Sequence, residues 1–467
     1  MFTAITSTLG NCFKIPELKS RIFFTLIVLA ICRLAALIPT PGLNNAALKA
    51  FFESAAAGDG GLLGMYSLFT GGGFENCAVG ALGIMPYISA TIIIQLLTAV
   101  IPQLSKLARE EGGRTKIVQY GRYLTVLLCL GQGFVMALSW ENPKFINANI
   151  GKLVLYDNLW FYRFQTMFIL TAGTMLLMWL GEQITDRGIG NGISLIITIG
   201  ILARLPKAGL ALWEMFVPGN GMESKYNWGH AIALVLLLLA VIAGVIAVTQ
   251  AQRKIPVQYA QRAVGRKVYS GGSSFMPLRV NYAGVMPVIF ASAILMFPAM
   301  LLQSAGQKLS TLSSGWAAAL GSNLIKISVL LGQGTILYLL LYALMILFFS
   351  YFWVATQFNE LQIADDMKKS GGYIPGVRPG QATSDFLHRT MSRITLAGAI
   401  FLTVIAVIPI ILGNAMGINP IVSQFFGGTS MLIMVGVMLD TMRQMESHLL
   451  MRHYDGFLKK GRIKGRF

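Results

Sequence analysis

The sequence predicts an all-α polytopic membrane protein, with ten transmembrane helices in two inverted five-helix halves. Three observations carry that prediction. The 467-residue chain is 55% hydrophobic and only 12% charged, about half the charge of an ordinary soluble domain. Apolar runs of roughly bilayer length recur ten times, and the charges avoid them. Basic residues gather on alternate connections, as the positive-inside rule requires.

The first apolar run, Ile22 to Ile38, follows Lys14, Lys19 and Arg21. No small-x-small cleavage site succeeds it. Pro39-Thr40-Pro41-Gly42 does, and that sequence ends a helix, so the run is expected to be retained as a span. Further spans are expected at 76–99, 117–138, 163–182, 189–206, 229–250, 282–302, 333–355, 391–412 and 428–446. The fifth opens on a glycine-rich turn, Gly188, Gly190 and Gly192.

With the amino terminus cytoplasmic, that side holds 27 of 37 basic and 12 of 19 acidic residues. Its net charge is then +15, against +3 for the rest of the chain, out of +18. Both termini are expected in the cytoplasm, consistent with an even number of spans. Five spans per half is an odd number, so the halves enter the membrane in opposite senses, the arithmetic of an inverted repeat. The division falls between 1–206 and 207–467, in a basic, flexible outer stretch with Pro206, Pro218, Gly219 and Gly221. Two cytoplasmic loops are long. Residues 251–281 carry Arg253, Lys254, Arg262, Arg266, Lys267 and Arg279 with no acid, and 356–389 contain GGYIPGVRPG at Gly371–Gly380. The tail ends in Lys459, Lys460, Arg462, Lys464 and Arg466, which suits contact with anionic lipids or a partner.

The stretch Gly71–Leu97 is unlike a plain anchor. It opens on Gly71, Gly72 and Gly73, which do not continue a helix cheaply. Within its apolar run lie Pro86, Tyr87, Ser89, Thr91 and Gln95, and polar groups in hydrocarbon must find partners. One face of this span is therefore expected to look at protein or water.

Several chemistries are missing from the sequence. No GxxxxGK[ST] loop offers a nucleotide site, and Gly188-Ile189-Gly190-Asn191-Gly192 lacks both GxGxxG spacing and a preceding strand. It reads as a tight turn into span five. No paired carboxylates or Ser/His set lie mid-membrane, so no catalytic residues are expected. His230, His388, His448 and His453 have no ligand spacing, and Cys12, Cys32, Cys77 and Cys129 form no CxxC pair. The cysteines read as small buried hydrophobes, and neither metal nor cofactor is expected. Arg33, near the outer end of span one, can snorkel, and Asp440 lies toward the inner end of span ten. A conduit in this chain must work without buried charge at its centre.

Several ordered motifs resemble the SecY family of protein-translocation channel subunits. They are ALGIMPYIS with IIIQLL in Ala81–Leu97, WLGEQITDRGIGNGISLII at Trp179–Ile197 and QRKIPVQYAQR at Gln252–Arg262. NYAGVMPVIFAS at Asn281–Ser292, GGYIPGVRPGQAT at Gly371–Thr383 and FGGTSMLI at Phe426–Ile433 continue the match across essentially the whole chain. By periodicity alone the isoleucines in these segments are ordinary apolar helix residues. The resemblance implies more: a central pore constricted by a ring at Ile84, Ile88, Ile193, Ile197, Ile289 and Ile433. A branched aliphatic ring is compliant and resists wetting when closed.

The resemblance also implies a plug at Gly60–Gly73, with Leu62, Leu63, Met65, Leu68 and Phe69 as its apolar residues; a surface loop with an apolar patch is the plain alternative. It implies a lateral gate among spans two, three, seven and eight. There Ser89, Gln95, Gln132 and Ser292 are polar residues that lipid would not favour, and weak interhelical hydrogen bonds are expected among them. Implied partners are SecE-type and SecG-type membrane subunits, a SecA-type ATPase motor, a translating ribosome and secretory polypeptides. The two basic loops, Arg378 above all, are the expected partner contacts. The function implied is a passive conduit for unfolded secretory chains in the plasma (inner) membrane, with sideways release of apolar segments. An inverted-repeat secondary transporter is the alternative, and the scarcity of midplane charge counts against it.

Overall fold

The computed structural model describes residues 15–44, 67, 69–110, 112–141, 154–217, 228–259, 262–264, 267–269, 272–310, 315–332, 335–418, 422, 425 and 429–460. Helix α1, Pro16–Ala35, starts on a proline in its first turn, where a missing N–H costs nothing. Residues 71–84 then run as turns, and α2 covers Met85–Val100. The second expected span is therefore helical only from Met85. Pro86 sits in the first turn of α2, not inside it, and Gly71, Gly72, Gly83 and Cys77 upstream all have positive φ.

The turn segment is part of the core. Val79 N–H donates to Ile38 O at 2.8 Å and Gly80 N–H to Ala35 O at 3.0 Å, tying it to the end of α1. Gly173 on α5 (Leu159–Arg187) admits the segment from the other side: a Cβ there would lie 2.1 Å from the Val79 carbonyl oxygen. Helix α3, Pro102–Arg109, follows α2 across a sharp bend of 104°, with Ile101 extended ahead of Pro102. Helix α4, Gly113–Glu141, packs along α5. Bidentate pairs close both ends of that contact, Arg122 on Glu182 and Arg163 on Glu141.

The fifth span splits into α6, Gly192–Leu202, and α7, Leu205–Phe216. Together, Gly192–Phe216 is long and apolar enough to cross a membrane. The stretch expected to be flexible from Pro206 is thus helical to Phe216, with Pro206 in the first turn of α7. Helices α8 (Trp228–Gln250), α9 (Met286–Ser310), α11 (Ile336–Gln357), α13 (Gln381–Ala415) and α14 (Thr429–Lys460) match spans six to ten. Between α9 and α11 lies α10, Gly315–Leu330, which was not expected. It doubles back on α9 where Gly306 and Gly321 bring the backbones together, and the buried Ser328 hydroxyl donates to Ala299 O at 3.1 Å.

The two basic connections are not loops. Strands β1 (Gln252–Tyr259) and β4 (Ser273–Arg279) pair antiparallel, and between them in sequence β2 (Arg262–Val264) pairs with β3 (Lys267–Tyr269). Helix α12, Glu360–Ser370, is capped by the Asn359 side chain and ended by left-handed Gly371. Strand β5, Gly372–Tyr373, then adds to β1, giving the order β4-β1-β5. Ile255, Leu278, Phe358, Ile374, Leu387 and Met391 bury a separate apolar core under this sheet. Cys32, Cys77 and Cys129 are buried free thiols; Cys12 lies outside the described residues.

Candidate functional site

The six isoleucines come from four helices far apart in sequence. Ile84 precedes α2, and the Ile88 N–H donates to its carbonyl at 3.2 Å, so the pair share one face. Asn191 caps α6 through Ile193 N and Ser194 N, which fixes the start of the turn carrying Ile193 and Ile197. Pro287 sits in the first turn of α9, ahead of Ile289. Ile433 lies one turn into α14. All six belong to the main apolar core, which also takes in residues of most other spans. Five are buried, and Ile193 packs half-buried against that core. Helix α9 contacts both α2 and α14, and α14 contacts α6, so the cluster bridges the early and late parts of the chain.

In the same core, Phe69 is buried with Phe74. Leu62, Leu63, Met65 and Leu68 lie outside the described residues. Phe69, Thr70 and Ile84 share the lining of a cavity of about 20 Å³ with Arg33 and Gly200, space for a single water. Arg33 is not simply reaching toward solvent: its Nη1 donates to Gly71 O at 2.9 Å. The sequence reading missed its neighbours Glu75, Arg204 and Lys207. Their signal was a carboxylate just after the triple glycine and two cations at the far end of span five, unremarkable until folding joins them.

Helices α2 and α9 touch across the two parts of the chain, with α4 beside α2 and α11 beside α9. Ser89, Gln95 and Gln132 are half-buried and Ser292 is fully buried. The expected interhelical hydrogen bonds among these four are not found among the described residues. The Ser292 hydroxyl donates instead to Ile289 O of its own helix, at 2.9 Å, because a helical serine reaches the preceding turn more easily than a neighbour.

In the basic hairpin, Arg253 and Lys254 stand exposed on β1, opposite Leu278 and Pro277. Arg262 and Lys267 lie on β2 and β3; Arg266 lies outside the described residues. Arg378 is exposed between a turn, closed by Val377 N–H on Ile374 O at 3.0 Å, and the start of α13. Its carbonyl accepts from the Thr383 hydroxyl at 2.9 Å, and left-handed Gly376 and Gly380 flank it. The loop backbone is thus held while the guanidinium is presented to solvent.

The family model of SecY matches residues 78–442, from before α2 into the middle of α14. The chain belongs to the SecY family. A protein translocase subunit SecY of Chlamydia trachomatis is 43% identical, over 98% of this chain and all of that protein. Among solved structures, one described as showing that the plug domain of SecY stabilises the closed state and maintains a membrane seal matches with a TM-score of 0.57, at 18% identity, over 92% of each chain. The idle yeast Ssh1 complex bound to the yeast 80S ribosome matches with a TM-score of 0.54, at 14% identity, over 93% of this chain and 89% of that one. At those identities the likeness shows the fold. The SecY-family chain is a multi-pass, all-α protein-translocation channel subunit, with the ten-helix plan that its hydropathy predicts.

Proposed function

We propose that unfolded secretory polypeptides cross the membrane through the ring of Ile84, Ile88, Ile193, Ile197, Ile289 and Ile433, and that apolar segments leave sideways between α2 and α9. The observation that carries this reading is the packing that joins the helices bearing these isoleucines, α9 on both α2 and α14, and α14 on α6. Aliphatic contacts have no preferred partner or direction, so such a ring can part, accept any side chain and close again. In this reading residues 1–206 and 207–467 are the two halves that part, and residues 60–73 seal the outer side. Ser89, Gln95, Gln132 and Ser292 line the lateral exit. Without strong hydrogen bonds between them, the seam opens at low cost.

Energy comes from outside the chain. A SecA-type ATPase or a translating ribosome docks on the hairpin and the Arg378 loop, with SecE-type and SecG-type subunits alongside in the membrane. The ribosome-bound Ssh1 complex, which shares the fold, supports the ribosome as a partner. Anionic lipids surround the basic cytoplasmic side, both termini lie in the cytoplasm, and the membrane is the plasma (inner) membrane.

The test is transport by the reconstituted channel complex. Vesicles supplied with motor and ATP should take up signal-bearing polypeptides and no small solute. Solute uptake without a polypeptide substrate would favour the transporter alternative. A disulfide between α2 and α9 should block signal-sequence release into lipid; undiminished release after complete crosslinking would put the exit elsewhere.

A further inference from the structure

Three cations and one carboxylate meet around residues 67–75. Glu75 is gripped from three sides. Its Oε1 accepts from the Ser67 hydroxyl at 2.6 Å and pairs with the Arg204 guanidinium, and its Oε2 pairs with Lys207 Nζ at 2.9 Å. Arg204 also donates to Ser67 Oγ at 2.5 Å. Glu75 and Arg204 are only 20% and 17% exposed, so water replaces these bonds poorly.

The same residues are fixed from the α1 side. Arg33 donates to the Gly71 carbonyl, as described above. Gly71 is left-handed, with φ +63°, and a Cβ there would lie 2.5 Å from Arg33 Nη1 and 2.7 Å from Gly200 Cα. Only glycine fits between the arginine and α6. Gly200 stands one turn beyond Ile197, so the grip sets Phe69 and Thr70 against the helix that carries two of the six isoleucines. Apolar packing alone would let this short segment slide. Directed, partly buried ion pairs fix its register.

We infer that Glu75 and Arg204 are positioning residues for the closed channel: their ion pair, shared with Ser67, holds Ser67 and Phe69–Gly71 against α1 and α6 and so keeps the outer seal in place. This rests on the reading of residues 60–73 as a seal.

The experiment compares resting ion conductance of the full channel complex in planar bilayers for four proteins: wild type, a deletion of residues 62–69, Glu75→Gln and Arg204→Gln. The deletion tests the seal and the substitutions test the latch. Each substitution should raise leak about tenfold, the factor that about 1.4 kcal/mol gives for a lost charge-assisted hydrogen bond. A Ser67→Cys/Arg204→Cys protein should leak until a short thiol-reactive linker bridges the pair, and then seal again. Motor-driven export by each variant reports that the complex is assembled. Should a single substitution fail to assemble, the bridged pair carries the test. A leaking deletion with tight substitutions, or a bridge that restores nothing, overturns the latch and leaves the seal standing. A deletion that does not leak removes the seal reading and the latch with it.

Discussion

The isoleucine cluster and the charged margins of this molecule are held by opposite physics. At the centre, contacts are aliphatic, individually weak and without direction. At the margins, the contacts are ion pairs, caps and backbone bonds with fixed geometry: Glu75 with Arg204 at one, and the strapped Arg378 loop at the other. A centre without direction can exchange its partners, whereas a directed margin keeps its shape. The difference teaches that a polar change at the centre should favour the open state, whereas a charge change at Arg378 should cost coupling to the motor.

The largest effect is expected at the Arg378 loop. Arg378→Glu should abolish motor-driven export while leaving insertion and topology intact, as measured with reconstituted vesicles and a protease-protection assay. Normal export by that variant would reduce the loop to generic charge. At the centre the sign reverses. Ile433→Asn or Ile289→Asn buries an amide, which costs the closed state about 1–3 kcal/mol when no partner is present. Roughly ten- to a hundredfold more channels should then open, seen as export of chains with defective signal sequences. Wild-type stringency in both variants would take these residues out of the constriction.

Smaller changes sharpen the same contrast. Arg378→Lys keeps the charge but loses the planar fork, and should slow export without abolishing it. An unchanged rate would show that the fork is not used. Ile193→Val removes one methylene from the half-buried member of the cluster. It should cost no more than about 0.5 kcal/mol, the low end for such a change, and leave signal stringency unaltered. Lys459→Glu, in the basic tail, should be nearly silent in the same export assay.

The helical plan was legible because hydropathy reports environment directly. Spans six, eight and nine coincide with α8, α11 and α13 to within a few residues at most of their ends, and α13 alone starts well before its span. Where the sequence misled, backbone geometry or local pairing decided the outcome. Pro86 lies within an apolar run, yet it marks the start of α2 because the preceding glycines and Cys77 adopt positive φ. The alternation of buried Ile255 and Val257 in QRKIPVQY is a strand signal that the basic charge obscured. The isoleucines were legible only through the family's motifs, since nothing in their spacing separates them from lipid-facing neighbours. The Glu75 cluster joins residues 129 positions apart, and no local pattern encodes such a meeting.

One measurement tests the central claim most directly. A secretory chain carrying a photoreactive or thiol-reactive group is stalled midway through the assembled channel. Single cysteines then replace Ile84 and Ile289 at the centre, or Ile232 and Leu236 on the exposed face of α8, where both are 62% exposed. The stalled chain should crosslink to positions 84 and 289 and not to 232 or 236. Equal labelling of all four positions, or labelling confined to α8, would contradict a path through the isoleucine ring.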